Sequence, residues 1–221
     1  NGKIFFAQSA DSTNFVDAEG TGVAQDFFAA GYNRSTVVTN GDGHSDAGAA
    51  ALARQLALDP GTSSSAYKTL SGVTAGALRS GHISNAGGKN VLLYALDDGQ
   101  AQTWFGKMAS GRAIRIQQAL DLLDARIREA VKSTFLSNEY IPMSDGGIAL
   151  MKSAVRGVLS TFAANGIIIP AGEEGGFTVT APKASQLSDA DKVAGRLSNL
   201  RFSCTMPNDM IRVVVSGVVS F

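Results

Sequence analysis

The sequence predicts an α/β fold: a layered, mostly parallel or mixed sheet with flanking helices, two long helices in the second half, and a C-terminal antiparallel β-hairpin. Three observations support this prediction. Strand and helix signals alternate over the first hundred residues, apolar residues then recur at helical spacing, and two strongly β-prone segments follow near the end of the sequence. The 221 residues are enough to bury a core without disulfides or structural metals.

Strands alternate with helices in the first half of the chain. A strand is predicted at 3–8, a helix at 20–31 and a second strand at 35–39. The next helix covers 47–58, and we expect Asp46 to cap its N terminus. Four further elements are predicted here: an extended segment near 67–71, a weak helix near 75–86, a strand at 90–96 and its antiparallel partner at 100–107.

Two long amphipathic helices dominate the second half. The first is predicted over 112–136, where apolar residues recur every three to four positions. Pro142 and Ser144 separate it from the second helix at 145–165, which we expect Ser144 to cap. The apolar stripes are Ile116, Leu120, Leu123, Ile127, Val131 and Phe135 in the first helix and Ile148, Met151, Val155, Leu159 and Phe162 in the second.

The end of the sequence is rich in β-prone residues. A strand at 177–180 and a short helix or turn from Ser188 precede two alternating segments, 200–205 and 211–221, which are predicted to pair as a hairpin. The turn between them contains Pro207-Asn208-Asp209, which suits a tight reversal. Such a strand is either sealed inside its own sheet or offers its unpaired N–H and C=O groups to another polypeptide, and both alternatives stay open.

Composition argues against several function classes. Nineteen Lys and Arg balance nineteen Asp and Glu, so there is no basic excess for binding nucleic acid through its phosphates. No apolar run approaches the roughly 20 residues that span a bilayer, and one cysteine cannot form a disulfide framework or a cysteine-rich zinc site. We therefore expect a soluble protein with no nucleic-acid or membrane partner. A charged fraction of only 17% suits a subunit packed against copies of itself.

Candidate catalytic and metal-ligating residues are few. Asp42, His44 and Asp46 stand at alternate positions of a glycine-rich loop and could form a metal or general-base cluster, but turn geometry and helix capping explain the same residues. His82 has no acidic or cysteine neighbour, so a surface or packing role is expected for it. Cys204 lies in a predicted strand and is expected to pack. The nucleophile elbow, the dinucleotide-binding fingerprint and the P-loop are absent from the sequence. We predict no catalytic residue, no metal and no cofactor.

Three motifs follow one another along the chain: one opens the first long helix, one opens the second, and one leads toward the closing strands. They are Met108-Ala109-Ser110-Gly111-Arg112, Ile141-Pro142-Met143-Ser144-Asp145-Gly146-Gly147 and Thr180-Ala181-Pro182-Lys183-Ala184-Ser185-Gln186-Leu187-Ser188-Asp189-Ala190-Asp191. In this order they resemble the contractile-tail sheath proteins of bacteriophages, and most closely the sheath-like family of myophages. The resemblance runs from the first strand to Phe221, and it departs from the family at the final turn, 206–210, which is apolar in many sheath proteins.

The resemblance implies a mechanical function. Sheath subunits stack as a helical tube around a tail tube and shorten irreversibly to drive it into the host. Their partners are copies of themselves, the tail tube protein and the baseplate, in a virion assembled in the host cytoplasm. Full sheath subunits also carry an N-terminal half and arm that this sequence lacks. With the abrupt start at Asn1, this suggests the C-terminal portion of a longer subunit, or else a short artefact at the start of the chain.

The resemblance also implies how neighbours are linked: terminal arms of adjacent subunits add strands beside a C-terminal hairpin. We predict an α/β body at 1–196 and a linking hairpin at 197–221. The alternatives are an α/β hydrolase or metal-dependent enzyme using Asp42, His44 and Asp46, and another virion component such as a tube or baseplate protein. The predicted intersubunit contacts are Ile211, Arg212, Val213, Val214, Val215, Val218, Val219 and Phe221.

Overall fold

A computed structural model describes residues 3–18, 22–41 and 46–210. Their contacts divide them into two compact units. The first unit contains the described residues up to Gln118 together with 208–210, and the second unit is Ala119–Pro207. The mixed α/β class predicted from the sequence is confirmed. The division into a body and a linking hairpin stays a prediction, because much of the hairpin lies outside the described residues.

A mixed sheet forms the centre of the first unit. Within the described residues it has four strands, in the order β1 (Phe5–Gln8), β2 (Ser35–Thr39), β3 (Leu92–Asp97) and β4 (Gln100–Trp104). The pairs β1–β2 and β2–β3 are parallel, whereas β3 and β4 are antiparallel. Buried residues follow one another in the first four positions of β3, as is typical of a strand covered on both faces.

Helices cover the two faces of this sheet with small residues. They are α1 (Val23–Ala29), α2 (Ala47–Leu56) and α3 (Ser80–Gly88). Leu92 and Tyr94 of β3 belong to the same buried cluster as Ala47 and Ala51 of α2. The intervening residues of β3 face another cluster, which contains Ala24 of α1 and Ala86 of α3. The alternation of a β-strand therefore distributes its side chains between the two helical layers.

The cap of α2 differs from the sequence-based prediction. Among the described residues, the side chain of Asp46 accepts no hydrogen bond from the first turn of α2. Instead, the backbone N–H of Gly48 donates to Oε1 of Gln8, 40 positions earlier on β1, at 2.9 Å. A long-range contact thus satisfies a helix N–H group that a local capping residue usually satisfies.

The second unit is built on two long helices. Helix α4 (Ile114–Leu136) begins in the first unit and continues into the second, where α5 (Asp145–Ala164) follows it. The Ser144 cap is confirmed, because its side chain accepts a hydrogen bond from Gly147 N. The predicted stripe of α5 is buried along its whole length.

The apolar stripe predicted for α4 is only partly buried. Leu123 belongs to the core, but Leu120 is 39% exposed and Phe135 is 59% exposed. Four residues advance a helix by about 40° more than one full turn, so a stripe spaced at four residues drifts around the helix. Between Leu123 and Phe135 this drift is roughly 120°. The end of the stripe therefore lies outside the core.

An antiparallel strand pair completes the second unit. Strand β5 (Thr178–Thr180) pairs with β6 (Arg201–Ser203). The helix α6 (Asp189–Val193) lies between them in sequence and begins after Ser188, as predicted, and the Ser188 side chain caps it. The structure thus has an antiparallel strand pair near the end of the chain, as the predicted fold class requires. Among the described residues, however, the partner of β6 is β5. The partner predicted from the sequence, 211–221, lies outside them.

Candidate subunit interface

The strand pair β5–β6, hereafter the ribbon, is the most exposed β-structure in the described residues. Its register aligns Thr178 with Ser203, Val179 with Phe202 and Thr180 with Arg201. Five of these six residues are exposed, and Val179 is half-buried.

The two faces of the ribbon differ in chemistry. Val179 packs against the core cluster of the second unit, which includes Val155 and Leu159 of α5. Its cross-strand partner Phe202 shares that face but is 43% exposed. On the opposite face, the hydroxyl groups of Thr178 and Ser203 form a hydrogen bond of 2.8 Å. The ribbon is therefore docked on α5 by one face and presents hydroxyl groups on the other.

The long edges of the ribbon are open in the part of the chain that the structure describes, because no third strand pairs with β5 or β6 there. At one end of the ribbon, Ile169 forms backbone hydrogen bonds to the residues beside both strands. Its N–H donates to Thr205 O, after β6, at 3.0 Å, and its C=O accepts from Phe177 N, before β5, at 3.3 Å. A two-stranded ribbon is marginally stable alone, and its unpaired backbone groups can accept a further strand. This geometry suits strand addition.

A buried carboxylate orders the approach to β6. The side chain of Asp191 accepts hydrogen bonds from Ser198 Oγ at 2.8 Å and from Arg196 Nε at 2.6 Å. Together with Ser188, these bonds favour the ionised carboxylate and lower the pKa of Asp191, the bond from Ser198 having the largest effect. The network fixes the residues that lead from α6 into the ribbon.

A buried ion pair holds the chain just before residue 211. In the first unit, Nε of Arg115 lies 2.6 Å from Oδ1 of Asp209, and the two side chains are 9% and 15% exposed. A second guanidinium nitrogen of Arg115 donates to Gly61 O at 3.3 Å. The sequence analysis missed this pair, because its members are 94 positions apart and no local pattern connects them. It also missed β5 as part of the interface, although the alternation of Thr178-Val179-Thr180 was visible.

All eight predicted intersubunit contacts belong to 211–221 and lie outside the described residues. The same holds for Asp42 and His44 of the candidate metal cluster, whereas Asp46 is described and exposed. Across 3–18, 22–41 and 46–210, no group of three or more potential metal ligands is found. No helix in these ranges is long and apolar enough to cross a membrane.

The cysteine predicted to pack does so, and the histidine, for which a surface or packing role was predicted, contacts an aromatic ring. The ring of His82 lies 5.7 Å from that of Phe15, measured between centroids. Cys204 is half-buried against the core of the second unit, and this burial raises the pKa of its thiol. A raised pKa disfavours the reactive thiolate. Neither side chain has the environment of a nucleophile or a general base.

Comparison with solved structures identifies the fold. A chain of the anti-feeding prophage (AFP) baseplate structure is 13% identical, with a TM-score of 0.62 over 99% of this chain and 60% of its own. The AFP helical sheath in its contracted state is 13% identical, with a TM-score of 0.64 over 97% and 61%. The sheath complex of PVC, an extracellular contractile injection system, also contracted, is 11% identical, with a TM-score of 0.65 over 90% and 61%.

The chain therefore has the fold of contractile-sheath proteins, and it spans about 60% of the length of the chains it matches. The resemblance seen in the sequence motifs is confirmed at the level of the fold. No protein-family profile matches the chain, and no curated protein matches it significantly. Two of the three matched structures are contracted sheaths and the third is a baseplate, so all three are structural assemblies rather than enzymes.

Proposed function

We propose that this chain is part of a structural subunit of a contractile phage-tail or tail-like sheath, which polymerises with copies of itself into a helical tube. The observation that carries the proposal is the exposed ribbon with open edges, on a fold shared with contracted sheath structures. A contact between different surfaces of identical subunits generates a helix when it does not close into a ring. Strand addition at a ribbon edge is such a contact.

The linking segment in this proposal is 211–221 of a neighbouring subunit, which adds a strand to the ribbon. The segment is apolar and β-branched, with Ile211, Val213 and Val215 at alternate positions. Each added cross-strand pair contributes roughly 0.2–1 kcal/mol, so several are needed for a stable link. The Arg115–Asp209 pair gives the segment a fixed origin on the subunit that donates it.

The mechanical action follows from rigid bodies joined by extended segments. During contraction the bodies rotate relative to one another while the added strands stay paired, as in domain motions about short hinges. Backbone hydrogen bonds keep the strands joined without demanding one fixed angle between the bodies. The tail tube and the baseplate are the other partners in this proposal, and the assembled particle is the site of action, after assembly in the host cytoplasm.

Deletion of the linking segment tests the proposal. In the complete subunit, removal of 211–221 should leave a folded, soluble protein that forms no tubes by electron microscopy, because the ribbon receives no added strand. The matched control is Leu56→Asp, a substitution of an apolar residue that is 76% exposed on α2 in the first unit. It should still assemble.

Two results would contradict the linking role. Normal tubes from the truncated subunit would show that 211–221 does not join neighbours. Unfolding of the truncated subunit, followed by circular dichroism, would show that the segment belongs to the subunit's own core.

A further inference from the structure

An apolar groove opens on the second unit, about 390 Å³ in volume. It is formed by the end of α4, the loop between α4 and α5, the first turns of α5, Lys192 of α6 and the residues after α6. Its volume lies within the range of sites that hold a ligand or an apolar anchor. Its apolar lining residues include Phe135, Tyr140, Ile141, Ile148, Met151 and Leu197.

Large apolar side chains at this groove remain exposed. Phe135 is 59% exposed, and Tyr140 is 78% exposed. Exposing such surface costs roughly 25 cal/mol per Å², and a cluster of exposed apolar residues is typical of a binding surface. Phe135 is also the residue at which the predicted stripe of α4 leaves the core. Phe135 therefore lines the groove and is not buried in the subunit's own core.

The groove and the ribbon lie along one face of α5. Ile148 lines the groove, and Val155 belongs to the core cluster on which the ribbon packs. These two residues are seven positions apart, which places them on the same face and about 10 Å apart along the helix axis. After β5, the chain returns to the start of α5, where Ala184 N donates to Asp145 Oδ1 at 2.7 Å.

Strand direction connects the two surfaces. Leu197 lines the groove, and β6 begins only four positions later, so β6 runs away from the groove. A strand added antiparallel to β6 therefore runs toward the groove. Such a strand would cover about 10 Å along the ribbon and then about 10 Å along α5 to the groove. At 3.3 Å per extended residue, this path needs roughly six residues. The segment 211–221 contains more residues than this.

We infer that the groove receives the apolar residues Val218, Val219 and Phe221 of a second copy of this chain, after the preceding residues of the same segment have added to the ribbon. This inference rests on the proposed function. The occupant matches the lining in chemistry, because these side chains are apolar and the groove offers aromatic and aliphatic carbon. The groove thereby anchors the added strand at a fixed register, which backbone hydrogen bonds alone specify weakly.

Cross-linking between two labelled subunits tests the inference. On a Cys204→Ser background, one population of the complete subunit carries Glu139→Cys beside the groove, and the other carries Ser220→Cys. Both substitutions leave the apolar residues intact. After the populations are mixed and assembled, a bismaleimide should give a cross-linked dimer that contains one chain of each kind. Leu56→Cys, at a similarly exposed site on the first unit, should give none with Ser220→Cys.

A second variant measures the energetic role of the groove. Tyr140→Asp places a charged carboxylate where the apolar anchor docks and should raise the critical concentration for tube formation about tenfold, which corresponds to about 1.4 kcal/mol of association free energy. Leu56→Asp should leave that concentration unchanged.

The absence of a mixed dimer would overturn the inference. A subunit that carries both Glu139→Cys and Ser220→Cys supplies the second test: at high dilution, a cross-link within that single chain would also overturn it, because the segment would then occupy its own groove. An unchanged critical concentration for Tyr140→Asp also overturns it. If deletion of 211–221 blocks assembly while these groove results are negative, strand addition stands and only the groove is excluded. If that deletion leaves assembly intact, the proposed function fails first.

Discussion

In the first unit, β3 is sealed on both faces, and the edge strand β4 exchanges hydrogen bonds with a covering segment: Tyr67 N donates to Thr103 O at 2.7 Å, and Thr103 N donates to Lys68 O at 2.9 Å. In the second unit, the ribbon is docked by one face only, and its edges are open in the described part of the chain. One sheet is thus built as a core and the other as a surface. Substitutions in the two should separate stability from assembly.

The largest stability effect is expected in the core sheet. Leu93 is 0% exposed in β3, so Leu93→Ala should lower the free energy of unfolding by about 2–5 kcal/mol, through lost burial and a residual cavity. Phe202→Ala in the ribbon should lower it by about 1 kcal/mol or less while still weakening tube formation. Chemical denaturation and electron microscopy measure the two effects. Equal losses of stability would mean that the ribbon is core.

A smaller effect is expected at the ion pair that precedes 211–221. Asp209→Ala removes the carboxylate that lies 2.6 Å from the buried Arg115 guanidinium and should cost about 2 kcal/mol of unfolding free energy. The control is Asp124→Ala, which removes the exposed partner of Arg128 and should change stability by at most about 0.5 kcal/mol. The double variant Arg115→Met, Asp209→Leu should recover part of the loss. Indistinguishable effects of the two single variants would show that Asp209 does not anchor the segment.

The smallest effect is a local acid sensitivity near the ribbon. The pKa of Asp191 is lowered in the folded chain, so its stabilising contribution is complete above the unfolded-state pKa of about 3.9 and is lost as the pH falls through the lowered folded value. Amide hydrogen exchange at 195–203, corrected for the intrinsic rate, should accelerate in that acid range. Asp191→Asn should exchange faster already at neutral pH.

The matched control for this prediction is Asp189→Asn. The side chain of Asp189 is fully exposed and one helical turn away from Lys192, so its replacement should leave the exchange of 195–203 unchanged. An acid response that persists in Asp191→Asn would assign the sensitivity to another group.

Local patterns were sufficient for much of the fold. The predicted helices at 112–136 and 145–165 are observed as Ile114–Leu136 and Asp145–Ala164. The strands at 35–39 and 90–96, the cap at Ser144 and the short helix from Ser188 were also predicted. These features depend on side chains a few positions apart, whose periodicity and capping chemistry are visible in the sequence. The mixed sheet followed from the alternation of strands and helices.

The candidate interface was predicted less completely. The sequence indicated a β-prone linking segment at 211–221, and the motifs indicated the sheath-like fold. The sequence did not reveal that β6 pairs with β5, or that Arg115 forms an ion pair with Asp209. Strand pairing and ion pairing join residues far apart in the chain, and many pairings are compatible with the same local pattern.

The sequence by itself determined the helices, the strands of the core sheet and the resemblance to sheath proteins, since each depends on short-range order along the chain. The tertiary structure alone decided which apolar residues are left uncovered, which strand completes the ribbon, and that Gln8 rather than Asp46 satisfies the first turn of α2. The physical reason is that burial and pairing are properties of surfaces assembled from distant segments. Phe135, for example, is spaced along the sequence like a core residue of α4. It lines the groove because its direction around the helix axis differs from that of the buried residue Leu123.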